Sequence, residues 1–362
     1  MASHPAPLLP VDAVLAQWRR RCAPLRPRMM AIRQAAGLVL AEDLRAPGPV
    51  PRRATALRSG YAVASADLVG VSGYAPLLLE RPPAWVAAGD PLPPGTDAVL
   101  PADAVATGGP VAAVTAEPAP GENVRRPGED LQAGQVVRGA GRVLRPVDAA
   151  VALAAGLQEA RVTPFALRLC AERENLPLVE ALAACVWSGL AASAAAMEPA
   201  AERDAQTTPS ASDPDLILAA TWRPDGLSPG PPDALAVHTG GLALRGAETA
   251  LILHSGATPV VVAPPRLDAL VPILLCVIDP FAASLTGRGA RPVWRRARLT
   301  RKIASQVGLT ELALLRETMG GLEPVGAGSI TVGSLAAAEG FLILPPESEG
   351  LAEGTEVEAY EL

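Results

Sequence analysis

Pro120-Gly121-Glu122-Asn123-Val124-Arg125-Arg126-Pro127-Gly128-Glu129-Asp130 is a stretch of turn-forming residues around one short apolar step, and Gln135-Val136-Val137-Arg138 follows it as a strand. Glycine and proline at this density punctuate short β runs and do not sustain a helix. The same texture reaches back to Pro47, through Ala112-Ala113-Val114-Thr115, and forward to Arg142, so residues 51–141 read as a β-rich module.

Helical patterns flank that module. Val11, Val14, Leu15 and Trp18 fall at i, i+3, i+4 and i+7, which predicts a helix over 11–23 with one apolar face. A second helix is expected over 30–44, and a third over 146–157, opened by Pro146 and closed near Gly156. Between Phe165 and Gly287 strand-like runs (166–170, 216–219, 250–253, 260–262) alternate with helices (178–197, 267–285), the signature of a layered α/β unit. The polar stretch 199–214 reads as a surface loop or partly disordered segment. From Ala297 onward, strands around 328–331, 341–344 and 356–360 predict a small β domain.

Composition excludes several classes. Hydrophobic residues make up 49% of 362 and the mean hydropathy is +0.26, but the apolar runs in the sequence, such as Ala181 to Trp187 or Ile273 to Ile278, are far shorter than a membrane span. No transmembrane segment and no signal peptide are expected, which places the protein in the cytoplasm. Four cysteines without a CxxC pair argue against a zinc site or a disulfide framework. Aromatics at 3%, a net charge of −6 and the absence of a basic stripe argue against nucleic acid.

Residues 120–146 resemble the N-V-R-x-x-G-E-D segment and following strand of the MoeA family, the molybdopterin molybdotransferases, to which the gephyrin E domain is related. Ala36-Gly37-Leu38-Val39-Leu40-Ala41-Glu42-Asp43 is similar to the family's A-G-R-V-L-A-E-D, and Gly89-Asp90-Pro91-Leu92-Pro93-Pro94-Gly95-Thr96-Asp97-Ala98-Val99 to its G-A-P-L-P-x-G-A-D-A-V. Gly328 to Pro345 resembles the last β domain. In 165–290 only spacing supports the likeness, as where Pro259 to Pro280 keeps the step of P-V-x-x-L-P-G-N-P and its helix.

The resemblance implies an α/β plus β multidomain fold. Residues 1–164 would form an elongated N-terminal α+β domain (1–50 and 142–164) with an inserted β domain (51–141). A MogA-like three-layer α/β domain would span 165–292 and a small C-terminal β barrel 293–362. It further implies a homodimer, with a molybdoenzyme or another protein of molybdenum-cofactor biosynthesis as a further partner. The implied reaction joins adenylylated molybdopterin with molybdate, using Mg as the divalent cation.

Anionic ligands of that kind need backbone N–H cradles from glycine-rich turns or helix N-termini, with arginine or lysine at the rim. Where the family carries T-G-D-E, S-G-G-x-S-x-G-D, K-P-G-K-P and L-P-G-N-P, this chain has Glu172-Arg173-Glu174-Asn175, Ala220-Thr221-Trp222-Arg223-Pro224, Arg245-Gly246-Ala247-Glu248-Thr249 and Ala263-Pro264-Pro265-Arg266-Leu267. Bulk at Trp222, a lost donor at Pro265 and negative charge at Glu172, Glu174 and Glu248 all act against an anion. The turn F-D-x-S-A-M-D-G-Y-A becomes Arg53-Ala54-Thr55-Ala56-Leu57-Arg58-Ser59-Gly60-Tyr61-Ala62, which keeps Gly60 and Tyr61 and loses both carboxylates.

What survives is Arg125, Arg126, Glu129 and Asp130. By resemblance Asp130 is the candidate catalytic residue, and Arg125, Arg126, Glu129, Gly60 and Tyr61 are the candidate ligand-binding residues. The arginines read either as a bidentate clamp on a phosphate or carboxylate, or as a solvated turn ion-paired to Glu129 or Asp130. Asp130 has no partner carboxylates with which to hold a metal, so no metal site is assigned. His238 and His254 read as packed or surface residues, and Arg19-Arg20-Arg21 as a solvated helix end. The resulting expectation is a MoeA-like protein of weak catalysis that binds molybdopterin or acts as a scaffold. The alternatives are an active transferase and an interaction protein that binds no pterin.

Overall fold

The computed structural model describes residues 7–186, 191–197, 214–221 and 241–362. Helix Val11–Arg21 forms as its spacing predicts. Asp12 lies in its first turn and Arg19, Arg20 and Arg21 in its last, both favourable to the helix dipole. Its apolar face packs chiefly on the central domain, in a core that also takes in Val39. Trp18 is fully buried and meets Phe281 edge to face at 5.0 Å, and Val11, Val14 and Leu15 join the same core.

The helix expected over 30–44 shortens to Ile32–Ala35. Gly37 takes φ +86° and donates its N–H to the carbonyl of Leu144 at 2.7 Å. Val39–Leu40 then pairs antiparallel with the end of Glu159–Thr163, whose other edge takes Arg28–Ala31. A sheet partner more than a hundred residues away thus overrides a local helical period. Helix Pro146–Ala154 covers these strands, with Ala149 and Ala152 buried against Ile32, Leu40 and Leu144.

Residues 55–114 fold into small antiparallel sheets, chiefly Ala84–Val86, Gly60–Val63, Ala98–Leu100 and, separately, Leu77–Leu79, Ala112–Val114, Val105–Ala106.

The central sheet has the order Ala191–Met197, Ala166–Glu172, Leu216–Ala220, Thr258–Ala263, Leu251–Ser255; only the last strand is antiparallel. The helix expected over 178–197 stops after Leu176–Val186, and the alanine-rich continuation is a strand. Alanine prefers a helix, but pairing in full register with Ala166–Glu172 outweighs that preference.

One face of the sheet is covered by a 20-residue helical rod, Leu267–Ile273, Leu274–Ile278 and Asp279–Thr286, whose middle piece is a π-helix. The wider turn precedes Pro280, whose ring would clash with an ordinary helical carbonyl. The rod corrects the expectation that apolar stretches here are too short to span a membrane. With a mean hydropathy of 2.0 it is long and apolar enough to cross a membrane, because the prolines and Asp279 interrupt the apolar run without ending the helix. The rod is mostly buried inside the protein, as for the core helix of a layered domain.

The C-terminal sheet runs Val293–Arg298, Glu356–Glu361, Gly340–Leu344, Glu311–Thr318, Gly321–Ala327. Its two edges meet through the bridge between Leu299 and Leu322, which curls the sheet toward a barrel around Leu315, Leu342 and Leu344. Strand Glu311–Thr318 is buried on both sides: Ala313 and Leu315 face the barrel, Leu312 and Leu314 the main core. The strand expected over 328–331 is instead Gly321–Ala327. Thr331 caps helix Val332–Ala337 by accepting the N–H of Ser334 at 3.1 Å, a local bond that competes with strand pairing.

Candidate functional site

In an open α/β sheet, ligands lie beyond the carboxyl ends of the strands, where the connections depart in opposite directions. Here the chain leaves Ala166–Glu172 toward Ala191–Met197 and leaves Leu216–Ala220 toward Thr258–Ala263, so the switch point lies between Glu172 and Thr221. Thr221, buried, donates its hydroxyl to Glu172 Oε1 at 2.5 Å, and Asn175 Nδ2 donates to the other oxygen at 3.3 Å. A carboxylate laced across the crevice presents negative charge and spends the nearby hydroxyl. The helix that starts at Leu176 has Pro177 in its first turn, which removes one N–H from the end that would face an anion.

The other two middle loops have structural work. Arg245 donates to Gln306, reaches the carbonyl of Gly328 at 3.4 Å and lies 3.9 Å from buried Glu311. Its own N–H bonds to the carbonyl of Thr310 at 2.9 Å, so this loop ties the central sheet to the C-terminal one. Gly246 has φ +85°, and a Cβ there would lie 1.9 Å from the carbonyl oxygen of Asp268. Arg266 pairs with Asp268 at 3.1 Å and reaches the carbonyl of Gly246 at 3.5 Å. Trp222, Arg223, Pro224 and His238 lie outside the described residues, as does most of 199–214. His254 is buried on its strand.

In the N-terminal turn, Val124–Arg125 pairs with Thr55–Ala56, so the two kept motifs meet as strands. Arg125 faces Asp130 at 3.4 Å with both side chains nearly half exposed, a pair worth about 0–1 kcal/mol. Glu129 accepts the backbone N–H of Arg126 at 2.7 Å, while Arg126 Nη2 donates to the carbonyl of Pro120 at 3.4 Å. Ser59 accepts the N–H of Ala88 at 3.1 Å. Tyr61 stacks edge to face on Trp85 at 5.0 Å. Gly60 is buried where a Cβ would sit 2.1 Å from the carbonyl oxygen of Leu100. Packing alone therefore accounts for Gly60.

Among the described residues no three His, Cys, Asp or Glu side chains converge as metal ligands. With Asp130 engaged by Arg125 and Glu129 by a backbone amide, this donor set does not fit a hard divalent cation, which takes about six oxygens. Sequence reading missed Thr221 as the partner of Glu172, since that depends on the register of strands 49 residues apart. It also missed the joint made by Arg245.

An open α/β unit with a carboxyl-edge crevice, bracketed by β modules from both ends of the chain, defines a multidomain α/β protein. Residues 9–156 match the family model for the MoeA N-terminal region (domain I and II), and residues 284–362 that for the MoeA C-terminal region (domain IV). The chain belongs to the MoeA family. It is 33% identical over 168 residues to molybdopterin molybdenumtransferase 2 of Mycobacterium tuberculosis (strain ATCC 25618 / H37Rv), a match covering 42% of this chain and 41% of the relative. It is 30% identical over 151 residues to the molybdopterin molybdenumtransferase of Haemophilus influenzae, covering 38% and 37%. The matches thus span about two fifths of the curated relatives' length.

The fold is similar to that of a molybdopterin biosynthesis MoeA protein from Pyrococcus horikoshii OT3, with a TM-score of 0.65 and 20% identity over 98% of this chain and 100% of that one. A molybdenum cofactor biosynthesis protein from Pyrococcus furiosus gives a TM-score of 0.55 at 16% identity, over 98% and 100%.

Proposed function

We propose that this chain serves molybdenum-cofactor biosynthesis or delivery in the cytoplasm, as a molybdopterin-binding or scaffolding partner of little catalytic power. The domain limits drawn from the sequence, 1–164, 165–292 and 293–362, belong to the same proposal. Membership of the MoeA family and the names of the relatives support the pathway. The observation that carries the loss of catalysis is the Glu172–Thr221 bond across the switch point. There a carboxylate stands where an anionic substrate would need donors. The rival reading, an active molybdopterin transferase, draws on the kept turn 124–130 with its two arginines.

Purified protein incubated with adenylylated molybdopterin, molybdate and magnesium separates the two. The expected outcome is AMP release far below that of an active molybdopterin transferase assayed alongside; a comparable rate defeats the weak-catalysis reading. Protein isolated from a cofactor-producing host should yield a fluorescent pterin on oxidation. Its absence would leave an interaction protein without a pterin ligand.

A further inference from the structure

A second concavity, of about 310 Å³, opens where loop 138–145 meets linker 288–292 and the end of the last strand. The loop and linker touch through their backbones. Gly289 donates to the carbonyl of Gly141 at 2.9 Å, and Gly141, at φ +70°, would place a Cβ 3.1 Å from the carbonyl of Gly287. That close approach sets five arginines around one cleft: Arg138, Arg142, Arg145, Arg288 and Arg291.

Two buried carboxylates hold four of them. Asp148 is bracketed by Arg145 at 2.8 Å and Arg138 at 3.3 Å, and Asp279 by Arg288 at 2.6 Å and Arg291 at 3.3 Å. Each acid is shared by two guanidiniums, so each trio keeps one positive charge. Arg142 is exposed and its side chain has no hydrogen bond or ion pair among the described residues, and Glu361 is the one further acid in the lining. With the main-chain carboxylate of Leu362 counted beside these side chains, the cleft retains about one positive charge in a chain of net charge −6. A concave wall focuses that field, and guanidinium forks offer paired donors to phosphate oxygens.

We propose that this cleft binds a compact phosphate-class anion, and that diphosphate, which offers more oxygens to the guanidinium forks, is held more tightly than orthophosphate. The ion-paired arginines form a fixed wall, and Arg142 closes on the ligand. The inference is independent of the function proposed above, since none of its residues lies at the sheet's carboxyl edge.

Cys185 lines the same cleft and is exposed, whereas Cys276 is buried with its thiol pushed up to about 12 by desolvation. Cys185 therefore reports occupancy. The full chain is titrated with inorganic diphosphate and orthophosphate while alkylation at Cys185 is followed by peptide mass spectrometry. Diphosphate is expected to bind more tightly than orthophosphate and to slow alkylation of Cys185 saturably. Arg142→Glu exchanges an attraction for a repulsion and is expected to weaken binding about tenfold. Arg142→Gln should give an intermediate loss and stands in if the reversal misfolds. No protection of Cys185, or equal affinity in both variants and the parent chain, would overturn the proposal.

Discussion

Gly60 shows how a motif residue can be kept for reasons unrelated to a ligand. Its hydrogen occupies space that any Cβ would contest with the carbonyl of Leu100, so Gly60→Ala must push its strand away from Ala98–Leu100. Thermal denaturation of that variant is expected to show a loss of about 1–3 kcal/mol, the range for overpacking, with or without added ligand. Asp148 makes a contrasting case. The hydrogen bond from Arg145 chiefly, with help from its backbone N–H and the charge of Arg138, holds the carboxyl below the usual carboxylate range against desolvation. A group whose acidity is strengthened by folding contributes stability above its unfolded value and loses it as pH falls through the folded one. Asp148→Asn should therefore cost about 2 kcal/mol at pH 7, the range for hydrogen bonds to a charged group. In urea melts run at decreasing pH, the gap between variant and parent should close below about pH 4. The lost carboxylates at Ala54 and Ser59 were legible in the sequence. The Glu172–Thr221 bond was not, because no local pattern reveals which strand ends become neighbours.

Elements with a strong period of their own could be read directly. Val11–Arg21 and Pro146–Ala154 appear where their spacing and punctuation put them, as do the strands 216–220 and 258–263. Elements settled by a distant partner could not. The run 191–197 is helical by propensity and a strand by pairing, and 39–40 is drawn from a helix by Glu159–Thr163. What Val11–Arg21 packs against was equally invisible, since an apolar face does not name its partner. Trp18 anchors that face at zero exposure. Trp18→Ala is expected to cost about 3–5 kcal/mol, as for other large-to-small core changes, and Trp18→Phe distinctly less. Denaturant titration followed by circular dichroism reads both, and a loss under about 1 kcal/mol for Trp18→Ala would show that the helix is not docked on Phe281.

At the scale of the molecule, the large core runs without a break from the first described helix through the central sheet to strand 311–318 and Phe341. The loop at Arg245 adds a polar joint between the same units. The β module of residues 55–114 packs around cores of its own. Assembly is the remaining question at this scale, and we expect a homodimer. Light scattering at micromolar concentration should return about twice the 37.0 kDa chain mass, and a monomer's mass would remove that expectation.

The docking of Val11–Arg21 on Phe281 also bears on the order in which the protein is completed. A ribosome delivers that helix some 260 residues before its counterpart, at about 5–20 residues per second. For many seconds a tryptophan-bearing apolar stripe has nowhere to go. Chaperone capture of the nascent chain would act on this exposed stripe, which finds its seat only once the helix bearing Phe281 has been made.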